Sequence, residues 1–126
     1  MNSDLEIFKT IFVSNSKALE MGLVLRKIGK SIFPEADENI AGGAKVKLAL
    51  YSINSPNQVV YGIQQGAKDT CMLYVHHIDA LDHPRLKFSG SGKHAKRIKF
   101  TSVEDINTDD IEWLLQQVKK CFKNKS

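Results

Sequence analysis

Hydrophobic residues recur at helical spacing near both ends of the chain. An apolar stretch around Phe8 predicts a first, short helix. A second helix is predicted from Ser16 to Pro34, because apolar residues recur there at offsets of three and four. Its apolar stripe consists of Ala18, Met21, Leu25, Ile28 and Ile32. A third helix is predicted over 109–122, with a stripe made of Ile111, Leu114, Leu115, Val118 and Phe122.

Polar residues mark the starts of the two longer helices. The Ser16 hydroxyl is placed to accept a hydrogen bond from an orphan amide of the first helical turn. Either Asn107 or Thr108 is placed to cap the last helix. Asp109 and Asp110 follow at the positive end of that helix dipole, so the sequence predicts a well-defined start there.

Between these helices the hydrophobic period changes to that of strands. Pro34 fits the first turn of a short acidic helix over 35–39, where its missing N–H has no cost. After Gly42 apolar and polar residues alternate, as expected for strands. The predicted strands are 46–53, 58–65, 70–78 and 96–101. Short polar connections make the first three of them antiparallel neighbours.

This order of elements predicts an α+β fold in a single domain over 1–126. We expect a two-layer sandwich, in which an antiparallel sheet of at least four strands carries the N- and C-terminal helices on one face. The stripes of the two longer helices would then meet above the sheet. Leu25, Ile28, Leu114 and Val118 are therefore predicted to be buried together.

Positive charge is concentrated near the C-terminal end. The formal net charge is +4, yet residues 85–126 contain ten Lys/Arg and five Asp/Glu, and 85–99 contain no acid. Alternation places Arg97 and Lys99 on the strand face opposite to Ile98 and Phe100. The candidate anion-binding residues are Lys93, Lys96, Arg97 and Lys99, with Arg85 and Lys87 as neighbours across the loop.

Two interpretations of this basic segment stay open. One is an interaction surface for an anionic partner, either nucleic acid or an acidic protein, and the other is a solubilising sheet face. The loop Gly90–Lys93 has glycines and a lysine like a phosphate-binding loop, but a strand follows it instead of a helix. No Phe, Tyr or Trp is interleaved among the four candidate cations over 93–99 to provide a stacking platform.

Side chains that ligate metals are densest just after the third strand. His76, His77, Asp79, Asp82 and His83 are of types that suit iron or zinc. Adjacent residues in a strand point to opposite faces, so His76 and His77 cannot both join one site without a bulge. The candidate metal ligands are therefore His77, Asp79, Asp82 and His83, and the alternative is a solvated strand end. Glu35, Asp37 and Glu38 form a second cluster of acids, which also fits the start of a helix.

Three stretches of the sequence resemble a known family. They are Phe33–Ile40, the strand meander, and Gly90–Phe100 followed by Ser102–Ile106. Together they resemble the YdhG-like family of small bacterial domains of unknown function. The resemblance implies a frataxin-like α+β sandwich. It also implies iron handling, as an intracellular iron chaperone that serves an iron-receiving protein.

The remaining residues favour a binding domain over an enzyme. Cys71 alternates with apolar residues and is predicted to be a small core side chain, and Cys121 lies at the end of the last helix. No arrangement of nucleophile and base, and no pair of carboxylates, has a spacing that indicates catalysis. The first residues lack the cationic start of a signal peptide, and no apolar run is long enough to cross a bilayer. We therefore expect a cytoplasmic protein that does not enter membranes.

Overall fold

A computed structural model describes residues 3–12, 16–42, 47–55, 58–66, 69–76 and 95–125. The helices are α1 (Ser3–Lys9), α2 (Lys17–Ile32) and α3 (Thr108–Lys125), and a short 3-10 turn covers Val103–Asp105. The strands are β1 (Asp37–Gly42), β2 (Lys47–Ser52), β3 (Val59–Gln65), β4 (Cys71–His76) and β5 (Ala95–Phe100). In the described part of the chain, no helix combines the length and apolarity needed to cross a membrane.

The five strands form one antiparallel sheet in the order β1-β2-β3-β4-β5. Both long helices contact β3 and β4, and they also contact each other. The α+β class and the two-layer arrangement predicted from the sequence are therefore confirmed, with one strand more than the predicted minimum. Each neighbour in the sheet is also a neighbour along the chain.

The additional strand, β1, replaces the acidic helix that the sequence predicts over 35–39. That prediction is wrong, because Asp37–Gly42 pairs along its whole length with β2, from Asp37 opposite Ser52 to Gly42 opposite Lys47. Pairing with β2 satisfies backbone groups that a short isolated helix would leave to water. Glu38 also lies on the helix side of the sheet, where its carboxylate binds the guanidinium of Arg26.

The core lies between the sheet and the helices. In β4, Cys71, Leu73 and Val75 are buried and alternate with half-buried residues, as the period-two pattern predicts. The predicted meeting of the two helical stripes is also confirmed. Leu25, Ile28, Leu114 and Val118 all belong to one buried cluster.

The predicted caps are present, and a residue distant in the sequence reinforces one of them. The Leu19 N–H donates to Ser16 Oγ over 3.0 Å, and the Asp110 N–H donates to Asn107 Oδ1 over 3.1 Å. Asn107, rather than Thr108, therefore caps α3. At the start of α2, two further amides donate to the carboxylate of Asp69, a residue of the turn between β3 and β4.

Candidate functional site

The sheet face turned away from the helices carries most of the candidate chemistry among the described residues. We call it the outer face and define it by strand alternation and register. Near β5 its positions are Gly62, Gln64, Met72, Tyr74, His76, Arg97 and Lys99. Farther along the sheet Leu48 and Leu50 follow, both half-buried, and then Asn39 and Asp37 of β1.

Two of the four predicted anion-binding residues meet on the outer face. Arg97 and Lys99 are exposed, whereas Ile98 and Phe100 are only 4% exposed on the other side of the strand. The predicted alternation of β5 is therefore confirmed. Lys96 pairs with Val75, so its register position is out of phase with the other two cations. Lys93, Arg85 and Lys87 lie outside the described residues.

An aromatic residue joins the two cations from the neighbouring strand. Tyr74 lies directly opposite Arg97, and Met72 lies directly opposite Lys99. Directly opposed side chains on one face have Cβ atoms about 4.5–5.5 Å apart. The sequence contains no aromatic residue between the cations along the chain, but the pairing of β4 with β5 places one beside them. The alternation of 71–76 was the signal that could have found it.

The Tyr74 side chain is held against the sheet by a hydrogen bond to β3. Its hydroxyl donates to Gln64 Oε1 over 2.7 Å, although Gln64 is opposite Met72 and not opposite Tyr74. The side chain therefore leans diagonally along the outer face. The residue directly opposite Tyr74 on β3 is Gly62, which has no side chain that would keep the ring away from the sheet. Tyr74 is half-buried on the outer face, so part of its side chain remains accessible to a ligand.

Charge is distributed unevenly across the outer face. Within the described strands its one acidic position is Asp37, on the edge strand farthest from β5. Four strand spacings separate the two edges, which corresponds to about 19 Å. That distance exceeds the Debye length of about 8 Å at physiological ionic strength. Asp37 consequently does little to neutralise Arg97 and Lys99.

The candidate metal ligands His77, Asp79, Asp82 and His83 lie outside the described residues. Within the described ranges no group of three His, Cys, Asp or Glu side chains is placed to hold a metal ion. The second acidic cluster does not converge either. Glu38 binds Arg26, and Glu35 Oε2 lies 3.5 Å from Lys119 Nζ on α3. Asp37 and Glu38 are adjacent in β1, so they lie on opposite faces of the sheet. Because this segment is a strand, it has no helix dipole to attract the three acids.

A buried polar cluster lies on the helix side of the sheet. Arg26 Nε donates to Glu38 Oε2 over 2.7 Å and its second nitrogen donates to Oε1 over 3.1 Å, while the Tyr51 hydroxyl also donates to Oε2. The Arg26 and Glu38 side chains are 14% and 9% exposed. The Tyr51 ring stacks on Tyr61, and the Tyr61 hydroxyl lies so close to Gly29 of α2 that a Cβ there would overlap it.

This cluster keeps Glu38 ionised. Burial raises the pKa of Glu38, but the hydrogen bonds from Arg26 and Tyr51 outweigh burial and lower its pKa overall. Burial, together with the hydrogen bond to Glu38, raises the pKa of Tyr51 far above its usual value. The carboxylate is thus committed to internal partners, and it serves to join α2, β1 and β2.

Cys71 and Trp113 both pack with core side chains. Cys71 is fully buried, and burial raises the pKa of its thiol to about 12, which agrees with its prediction as a small core side chain. Trp113 is half-buried and packs against the core. The Cys121 side chain is not among those described.

Comparison with protein-family models, with curated proteins and with solved structures finds no match for this chain.

Proposed function

We propose that this domain binds nucleic acid through the β5 side of its outer face. The observation that carries the proposal is the register of β4 and β5, which places Tyr74 and Met72 directly beside the exposed Arg97 and Lys99. The cations supply the attraction to phosphate, and the open outer face of the sheet supplies a surface on which a strand of nucleic acid can lie.

The uneven charge of the outer face favours an anionic partner. Both exposed cations belong to one edge strand, and the single acidic position of the described face is at the opposite edge. The binding site would therefore have a preferred side, with the phosphates near β5. A solubilising surface needs no such separation of charge, and it needs no aromatic residue among the cations.

Tyr74 favours nucleic acid over an acidic protein as the partner. Acidic peptides present carboxylates on flexible side chains and gain little from a flat ring, whereas every nucleobase has a face that stacks on an aromatic side chain. Antiparallel sheets that bind RNA commonly present aromatic residues in this way. The combination of ring and cations thus matches the mixed chemistry of a nucleotide.

Fluorescence anisotropy with a labelled oligonucleotide tests the proposal. The variant Arg97→Gln/Lys99→Gln should weaken binding several-fold and reduce the salt dependence, because each lost phosphate contact lowers the slope by about one. The matched control is Lys27→Gln/Lys120→Gln, which removes two exposed cations from the helical layer and gives the same change in net charge.

The outcomes separate the alternatives. Loss of binding in the outer-face variant, with the control close to the wild type, supports the proposal. Equal loss in both variants would mean that net charge alone is responsible and would overturn it. Preferential binding of an acidic polypeptide such as polyglutamate would also overturn it and would identify an acidic protein as the partner.

A further inference from the structure

We infer that the nucleic acid is single-stranded and that one of its bases stacks on Tyr74, with the side-chain amide of Gln64 donating to the edge of that base. This inference rests on the proposed function and goes beyond it, because phosphate contacts alone would accept a duplex equally well.

The surroundings of Tyr74 are those of a shallow platform. Gly62, directly opposite on β3, is buried, and a Cβ added there would meet Ala49 O at 3.0 Å and Leu50 Cδ2 at 3.3 Å. The sheet surface beside the Tyr74 ring is thus closely packed, and Gly62 contributes no side chain to it. The hydrogen bond to Gln64 fixes the lean of the ring, so little conformational freedom remains to be lost when a base stacks on it.

Gln64 is oriented by the same hydrogen bond. Its Oε1 accepts from the Tyr74 hydroxyl, which leaves the two N–H groups of the amide as donors at the margin of the platform. Ring nitrogens and carbonyl oxygens of bases are acceptors that such donors can reach. The geometry therefore couples a stacking residue to a polar group that recognises the base edge.

The cations lie on the other side of the platform. Arg97 is opposite Tyr74 on β5, and Lys99 is two residues farther along the same face. A nucleotide placed with its base over Tyr74 thus has its phosphate directed toward the β5 edge. In a duplex the bases are paired and stacked on each other, so the ring of Tyr74 could not be used.

The test compares a labelled single strand of about ten nucleotides with a duplex of the same sequence. Tyr74→Leu should weaken binding of the single strand by about 5- to 140-fold, the range that corresponds to loss of one stacked base, and should leave duplex binding unchanged. Tyr74→Phe keeps the ring and should stay within about threefold of the wild type. Gln64→Ala should reduce discrimination among homopolymeric strands more than it reduces overall affinity.

Photo-crosslinking of the wild-type protein provides a readout that does not depend on the folding of a variant. A strand that contains 5-iodouracil should crosslink to Tyr74. Tyr51 and Tyr61, which are 1% and 0% exposed, serve as internal controls and should not react. Crosslinks confined to other sites would overturn the inference.

Failure of this inference is distinguishable from failure of the proposed function. If Arg97→Gln/Lys99→Gln weakens binding but Tyr74→Leu does not, or if the duplex binds more tightly than the single strand, the stacking inference is wrong and the phosphate-binding function stands. If neither form of nucleic acid binds the wild-type protein, both are wrong. Weaker single-strand binding by Tyr74→Leu, with an unchanged midpoint of thermal unfolding, supports both the stacking inference and the proposed function.

Discussion

Two stacked tyrosines in the buried cluster allow a matched pair of hydroxyl deletions. The rings of Tyr51 and Tyr61 lie 4.3 Å apart at 6° to each other, and both side chains are buried. The Tyr51 hydroxyl donates to the Glu38 carboxylate, whereas the buried Tyr61 hydroxyl has no hydrogen-bond partner within the described part of the protein. Removing the same atom from these neighbouring rings should therefore change stability in opposite directions.

The expected magnitudes follow from the two environments. A buried hydroxyl without a partner loses its hydration and gains nothing in return, so Tyr61→Phe should raise the free energy of unfolding by about 1 kcal/mol. A hydrogen bond to a charged group contributes about 1.5–3 kcal/mol. Tyr51→Phe removes such a bond while the Glu38 carboxylate stays largely buried, so it should lower the free energy of unfolding by about 2 kcal/mol.

Urea denaturation at neutral pH measures both changes. Each variant should shift the midpoint while the dependence on urea stays constant, because neither substitution alters the surface exposed on unfolding. The midpoint should rise for Tyr61→Phe and fall for Tyr51→Phe. A loss of more than about 1 kcal/mol in Tyr61→Phe would refute the reasoning, since it would show that the Tyr61 hydroxyl is hydrogen-bonded in the folded protein.

Four further measurements test other parts of the structure. The pKa of Glu38 is lower in the folded protein than in the unfolded chain, so the unfolded chain takes up the proton first as the pH falls. The free energy of unfolding should therefore decrease below about pH 4.5. Glu38→Gln should remove this part of the pH dependence of the urea midpoint. Asp69→Ala leaves two amides of the first turn of α2 without their acceptor and should lower the free energy of unfolding by about 1 kcal/mol, while Asp69→Asn, which keeps one acceptor oxygen, should lower it less. Leu114→Ala should cost about 2–5 kcal/mol, measured by the same denaturation, because Leu114 is fully buried. The resemblance to the YdhG-like family predicts iron binding, which anaerobic calorimetric titration of ferrous iron tests with His83→Ala and Asp82→Asn as probes; the absence of stoichiometric binding at micromolar iron would exclude it.

The sequence alone determines the features that depend on local periodicity. These features depend on residues that are close together in the sequence. They include the apolar stripes of α2 and α3, the N-terminal caps of both helices, and the alternation of buried residues in β4. The exposure of Arg97 and Lys99 also follows, because strand alternation separates them from Ile98 and Phe100. The class of the fold then results from the order of these elements.

Only the tertiary structure decides the features that depend on partners distant in the sequence. The acidic stretch after Pro34 becomes β1 because β2 pairs with it and because Glu38 meets Arg26 of α2. Asp69 completes the start of α2 across a sequence separation of about fifty residues. Tyr74 comes to lie beside Arg97 through the register of β4 and β5, two strands that are separated along the chain by residues 77–94. Local pattern specifies which face of a strand a residue occupies, but register specifies which neighbour it meets there, and register is set by packing over the whole sheet.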